Sequence, residues 1–200
     1  MQLNPNQPHT LPPDYFDKVY EANQDPWNFA SSPYEQEKYA ATLAALPHLH
    51  YARAFEIGCS LGILTAQLAP RCHYLLAVDV AEAALEQARQ RCAHLPQVEL
   101  RQLRVPAEFP QGHFDLILVS EVGYYWSPAD LARAADQIVA ALPAAGQLVL
   151  VHWTSPVHDY PLTGDAVHEF FLEKATPDGP LRHLHGQRHE KYRLDVLEKR

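Results

Sequence analysis

Apolar positions alternate between two rhythms from about residue 35 to residue 151, and that alternation predicts an α/β fold. Tyr39, Leu43 and Leu46 share one face of a helix over residues 35–46, which Pro47 closes. Phe55-Glu56-Ile57 then reads as a strand, 61–69 as a helix, 74–79 as a strand, 82–93 as a helix and 98–103 as a third strand. The run Phe114 to Val119 is typical of a parallel strand covered on both faces. Leu131, Ala135, Ile138 and Leu142 give residues 129–142 a helical face, and Pro143-Ala144-Ala145-Gly146 turns the chain into a fifth strand, Gln147–Val151. Residues 164–171 read as a short helix, and 181–188 with 191–196 as two strands that pair at the edge. The expected architecture is a doubly wound, mostly parallel, seven-stranded sheet sandwiched by helices. Residues 14–200 read as a single domain, behind a proline-rich stretch, 1–13, expected to be loosely ordered.

The densest chemistry lies at the first strand-to-helix crossover, Glu56-Ile57-Gly58-Cys59-Ser60-Leu61-Gly62, answered by Asp79 at the end of the second strand. Gly58 and Gly62 have no Cβ, so the backbone there can take positive φ and a ligand can approach it closely. Amides at the head of the next helix would face an anionic group, and a carboxylate at Asp79 suits two ribose hydroxyls. A dinucleotide site needs G-x-G-x-x-G, whereas Ser60 and Ile63 stand at the second and third glycine positions counted from Gly58. A pyrophosphate therefore fits poorly, which weighs against a nicotinamide-dependent oxidoreductase. A non-catalytic module that keeps the cofactor fold is the other alternative.

Composition narrows the partners. With 47% apolar residues, a chain of 200 can bury a sizeable core, and 16 basic against 24 acidic residues give a net charge of -8, which disfavours a nucleic-acid partner. No stretch approaches the roughly 18 apolar residues of a membrane span. Met1–Pro8 lacks the marks of a signal peptide, and Cys59, Cys72 and Cys92 are never spaced C-x-x-C, so a reduced, cytoplasmic setting is expected. His183, His185 and His189 lie close together, but no cysteine or acid completes a tetrahedral set, so no metal is expected.

E-x-G-x-x-x-G with an acid after the next strand resembles the first two motifs of class I S-adenosylmethionine-dependent methyltransferases, with Ser60 departing from their usual E/D-x-G-x-G-x-G. The resemblance sharpens with Tyr15-Phe16-Asp17, Asp25-Pro26-Trp27, Tyr34-Glu35 with Lys38-Tyr39, Phe114-Asp115-Leu116-Ile117 with Ser120-Glu121-Val122-Gly123-Tyr124-Tyr125, and Asp159-Tyr160-Pro161-Leu162 before Gly164-Asp165. This set resembles the nodulation protein S family over roughly residues 14–197. That family implies a methyltransferase whose namesake N-methylates the free amine of a deacetylated chitooligosaccharide, hence a small-molecule acceptor, preferably an amine or amino sugar.

The resemblance and the demands of methyl transfer together nominate site residues. Cofactor contacts are expected from Glu56, Gly58, Cys59, Ser60, Gly62, Asp79, Val80 and Ser120. Val105 and Pro106 fall where the family's adenine-facing loop lies, or serve ordinary loop packing. Tyr34 and Lys38 are expected in an N-terminal helical lid that shields a sulfonium from water, while Trp27 is read as structural. An amine acceptor must arrive uncharged, which favours a carboxylate or imidazole beside it. Glu121, Tyr124, His152 and His168 are the candidates for that catalytic role.

Overall fold

The computed structural model describes residues 9–155 and 157–200. Contacts gather into two compact units, Pro12–Arg104 and Val105–Arg200, the latter including the described residues up to Leu11.

The first unit runs α1 (Pro13–Ala22), α2 (Pro33–Ala45), β1 (Ala54–Ile57), α3 (Ile63–Leu68), β2 (Leu75–Asp79), α4 (Glu82–Cys92) and β3 (Val98–Gln102). Its three strands are parallel, with Phe55 beside Leu76 and Leu76 beside Glu99. Leu75 to Val78 is buried, as an interior parallel strand requires, while β3 is half-exposed and ends in two exposed residues. Helix α2 begins where Ser32 Oγ accepts the Glu35 amide and Pro33 supplies a preset φ at the first helical position. Helix α1, which the sequence reading does not separate from its aromatic surroundings, buries Phe16 and Tyr20, one turn apart on a single face.

The second unit runs β4 (Leu116–Ser120), a tight helical turn Gly123–Tyr125, α5 (Pro128–Ala141), β5 (Gln147–Trp153), α6 (Gly164–Leu172), β6 (Leu181–Arg188) and β7 (Tyr192–Lys199). Strands β4 and β5 are parallel; β7 runs antiparallel to β5, and β6 antiparallel to β7 with a register shift between His183 and His185. The closing hairpin expected at the sheet edge is thus present. Ser127 and Thr163 cap α5 and α6 by accepting the Asp130 and Ala166 amides. Of the stretch expected to be loose, residues 1–8 lie outside the described residues. Thr10 and Leu11 are fastened: Thr10 Oγ1 accepts from the Ser127 amide at 2.9 Å and donates to Asp130, and the Leu11 amide donates to the Tyr125 carbonyl at 2.9 Å.

The strands make a seven-stranded, mostly parallel sheet, with β3-β2-β1 from one unit and β4-β5-β7-β6 from the other. Among the described residues no helix is long and apolar enough to cross a membrane.

Candidate active site

In the first unit the chain leaves β1 and folds back on the end of β2. The Gly58 and Cys59 amides both donate to the Val78 carbonyl, at 2.8 and 2.9 Å. Gly58, Ser60 and Gly62 all have left-handed backbones, with φ of 82°, 48° and 71°. Ser60, at the place of a glycine in the usual motif, thus holds a left-handed backbone, an uncommon state for a residue with a Cβ. Its side chain is held: Ser60 Oγ lies 2.5 Å from Tyr20 Oη of α1. Gly62 also serves packing, because a Cβ there would lie 2.8 Å from Ala88 Cβ of α4.

Asp79 sits at the end of β2 with its carboxylate clamped by backbone. Oδ2 accepts from the Ser60 amide at 2.9 Å and Oδ1 from the Ala81 amide at 3.0 Å. Burial raises its affinity for a proton, and these amide bonds oppose that shift. Glu56 is fully buried on β1 and accepts from Thr65 Oγ1 at 2.6 Å. Burial and the nearby Asp79 charge push the Glu56 carboxyl up to about 7 against the Thr65 hydrogen bond. Cys59 is buried and its thiol is pushed well up by burial. Val80 presents its carbonyl to Gln102 Nε2 at 2.9 Å.

The aromatic segment after α1 is a braced turn. Asp25 accepts the Phe29 and Ala30 amides at 2.7 and 2.9 Å, and Trp27 stacks on Phe29 and meets Tyr20 edge-on at 5.7 Å. That packing supports the structural reading of Trp27. On α2, Lys38 is buried, with its ammonium 3.0 Å from Glu35 and 5.3 Å from the Tyr34 ring centroid. Tyr20, which the sequence reading does not nominate, touches the crossover directly. Its only sequence signal is the one-turn spacing from Phe16.

In the second unit, β4 ends at Ser120, which is buried, and Glu121 follows with φ 56°. Glu121 Oε2 accepts from Tyr124 Oη at 2.7 Å and from the Trp153 amide at 2.9 Å, so the carboxylate is fixed at the carboxyl ends of β4 and β5. Tyr124 lies parallel to Tyr160 at 5.1 Å, and Tyr125 stands edge-on to both at 4.7 Å. Burial pushes both the Tyr124 and Tyr125 hydroxyls well up, so they stay protonated donors. Val105 and Pro106 are buried, and the Pro106 carbonyl accepts from Gln137 Nε2 at 3.1 Å.

His152 and His168, candidates for direct chemistry, are both fully buried. His152 Nε2 accepts the Gly123 amide at 3.1 Å, its Nδ1 meets His168 Nε2 at 3.1 Å, and His168 Nδ1 meets Asp195 Oδ2 at 2.6 Å. All four ring nitrogens are thus engaged inside the fold, linking the Gly123 turn to β7. His183 bonds Asp195 as well, at 2.7 Å, and His189 stacks on Tyr192. Among the described residues no three His, Cys, Asp or Glu side chains gather as a metal site.

A mostly parallel seven-stranded sheet closed by an antiparallel hairpin, with a left-handed turn after β1 and an acid ending β2, defines the class I methyltransferase fold. The chain belongs to the nodulation protein S family, whose model, Nodulation protein S (NodS), matches residues 14–157. It is 36% identical over 130 residues to Nodulation protein S of Bradyrhizobium diazoefficiens, covering 64% of this chain and 62% of that protein. Among solved structures, a protein of Pseudomonas syringae is 40% identical, with a TM-score of 0.72 over 83% of this chain and 99% of that one. The N-methyltransferase NodS from Bradyrhizobium japonicum WM9, solved in complex with S-adenosyl-L-homocysteine, is 26% identical with a TM-score of 0.78, covering 93% of this chain and 97% of that one. The matches to the curated nodulation proteins S of Sinorhizobium fredii, Rhizobium tropici and Bradyrhizobium diazoefficiens span 60%, 55% and 62% of their lengths.

Proposed function

We propose that the protein transfers a methyl group from S-adenosylmethionine to the nitrogen of a small amine acceptor, an amino sugar being the preferred class. The observation that carries this reading is the left-handed turn Gly58–Gly62 with Asp79 clamped beneath it. The residues fit a single nucleoside: they offer a left-handed turn and one carboxylate, and Ser60 and Ile63 stand where a dinucleotide fingerprint needs glycine. The related NodS that binds S-adenosyl-L-homocysteine supports the same cofactor.

Bound S-adenosylmethionine supplies a methyl on a sulfonium, which is already a strong electrophile. The chain therefore has to bind, orient and exclude water, and orientation alone is worth roughly 7 to 11 kcal/mol. Asp79 would hold the ribose hydroxyls, and Gly58, Cys59, Ser60 and Gly62 would present the turn to the amino-acid end. Glu56, its carboxyl pushed up by burial, supports the turn from β1 through Thr65 on α3. Val80, Val105, Pro106 and Ser120 would contact the cofactor, and Tyr34 and Lys38 would belong to a lid over it. Glu121 orients the acceptor nitrogen and takes its proton, with Tyr124 holding the carboxylate in place. The Tyr124, Tyr125 and Tyr160 rings pack on one another beside that carboxylate.

Isothermal titration should show S-adenosyl-L-homocysteine binding near micromolar, about -8 kcal/mol. Asp79→Ala should weaken it more than tenfold, and Glu121→Ala should spare binding and lower turnover. A methyl-transfer screen over amino sugars, small amines and phenols identifies the acceptor. A folded protein that binds neither S-adenosylmethionine nor its product, or that transfers hydride from a nicotinamide, overturns the reading.

A further inference from the structure

Two of the chain's eight glycines, Gly123 and Gly164, crowd against His152, and a third, Gly186, against Asp195. A Cβ at Gly123 would lie 2.9 Å from His152 Nε2 and 2.7 Å from Val167 Cγ1. At Gly164 it would meet the Trp153 carbonyl at 2.1 Å and His152 Cβ at 3.0 Å, and at Gly186 it would meet Asp195 Oδ1 at 2.6 Å. At each glycine at least one of these contacts is closer than a Cβ tolerates, so the backbone has been brought up to the network at three points.

The order of protons along the network follows from its first member. A backbone amide only donates, so His152 Nε2 must carry a lone pair toward Gly123. A neutral ring then bears its proton on Nδ1, which donates to His168 Nε2. That leaves the His168 proton on Nδ1, donating to Asp195, which also accepts from Arg193 Nε at 2.7 Å. One arrangement satisfies every group. A further proton on His152 would set N–H against the Gly123 N–H, and one on His168 would set N–H against His152 Nδ1–H. Neither fits without moving the Gly123 turn or α6.

We propose that His152 and His168 are positioning residues: a neutral imidazole pair, anchored on Asp195, that holds the Glu121–Tyr124 turn in register for the acceptor and lets it go when either ring takes a second proton. The proposal rests on the acceptor role given above to that turn.

The surroundings favour the neutral pair at neutral pH. Burial depresses the His168 imidazole against the pull of Asp195. The charged groups near it form a compensated set. On its own helix stand Asp165 and Glu169, both paired with Arg193 of β7, while Arg188 of β6 also pairs with Asp165. His183 of β6 shares Asp195, and the Tyr124 ring meets His152 edge-on at 5.5 Å with Glu121 beyond it.

The test uses the full chain, S-adenosyl-L-homocysteine and the best amine from the screen. In the wild type, long-range proton–nitrogen NMR at pH 7.5 should place both rings in the Nδ1–H tautomer, and on acidification the Gly123 amide and Tyr124 ring signals should shift together with His152 and His168. An Nε2–H tautomer at either ring, or a Gly123 amide indifferent to their titration, overturns the proposal without needing any variant. His168→Leu should raise the acceptor KM at least tenfold with S-adenosyl-L-homocysteine affinity changed less than twofold. His168→Gln keeps an acceptor toward His152 but cannot be protonated, so it should hold the KM within about threefold and flatten its rise in acid. An unchanged KM in His168→Leu, or an unchanged acid limb in His168→Gln, also overturns it. Loss of the methyl-transfer reading would show separately, as no cofactor binding by wild type, while the tautomers and their coupling to Gly123 would still decide this one.

Discussion

At the residue scale, Glu56 is held where water cannot solvate its charge. Its folded proton affinity corresponds to about 7 against an ordinary 4.5. For a raised acid, folding favours the protonated form, so this contribution is complete below about 4.5 and is lost as pH rises through about 7. The loss is on the order of 3 kcal/mol. Glu56→Gln should match wild type near pH 4.5 in urea unfolding and gain on it steadily up to pH 7, levelling off beyond. A difference that stays flat across that window would show that the carboxylate ionises without penalty. The neighbouring Tyr20–Ser60 contact makes a second test. Each hydroxyl is the other's partner, so a double-mutant cycle of Tyr20→Phe and Ser60→Ala should give a coupling of about 1 kcal/mol, and a value near zero would mean that the contact does not tie α1 to the turn.

At the element scale, the crossover shows how much of a site the sequence displays. Gly58, Gly62 and Asp79 were legible because a turn that needs left-handed residues and a strand that ends in an acid write themselves into neighbouring positions. Ser60 reads as a defect in the motif, yet with a φ of 48° the serine holds a left-handed backbone, and its hydroxyl reaches a helix 40 residues earlier. Helix α1 was hidden because Pro12, Pro13 and a dense aromatic run mask a short amphipathic face that only Phe16 and Tyr20 reveal. The histidine network was illegible for a related reason: it depends on β7 pairing with β5, which sets Asp195 beside Leu150. No local pattern encodes that register. Gly62 joins two demands, a φ of 71° and contact with α4, so Gly62→Ala should destabilise by roughly 2–4 kcal/mol in denaturant titration. A loss under 1 kcal/mol would mean that α3 and α4 can separate freely.

At the scale of the whole molecule, the parallel strands were readable from their apolar runs, whereas the edge that closes the sheet depends on charge. Asp195 is buried on β7 and joins α6, β6 and its own strand through His168, His183 and Arg193. Burial alone would raise its carboxyl, but the His168 hydrogen bond, the Arg193 charge and the His183 hydrogen bond outweigh it and hold the group below the ordinary range. For a depressed acid, the stabilisation is present above the unfolded value near 3.9 and disappears as pH falls through the folded one. Asp195→Asn leaves Arg193 without its closest buried partner and the His168 proton without a charged acceptor, which should destabilise by roughly 3–5 kcal/mol at pH 7. Urea unfolding at pH 7, 5 and 3 should show that difference held between the first two and narrowed at the third, because wild type then approaches the neutral side chain. The same variant should unzip the hairpin before the parallel strands, visible as faster amide exchange along β6 and β7 than along β4. A uniform increase in exchange across both would mean that Asp195 stabilises the fold as a whole, with no special hold on its closing edge.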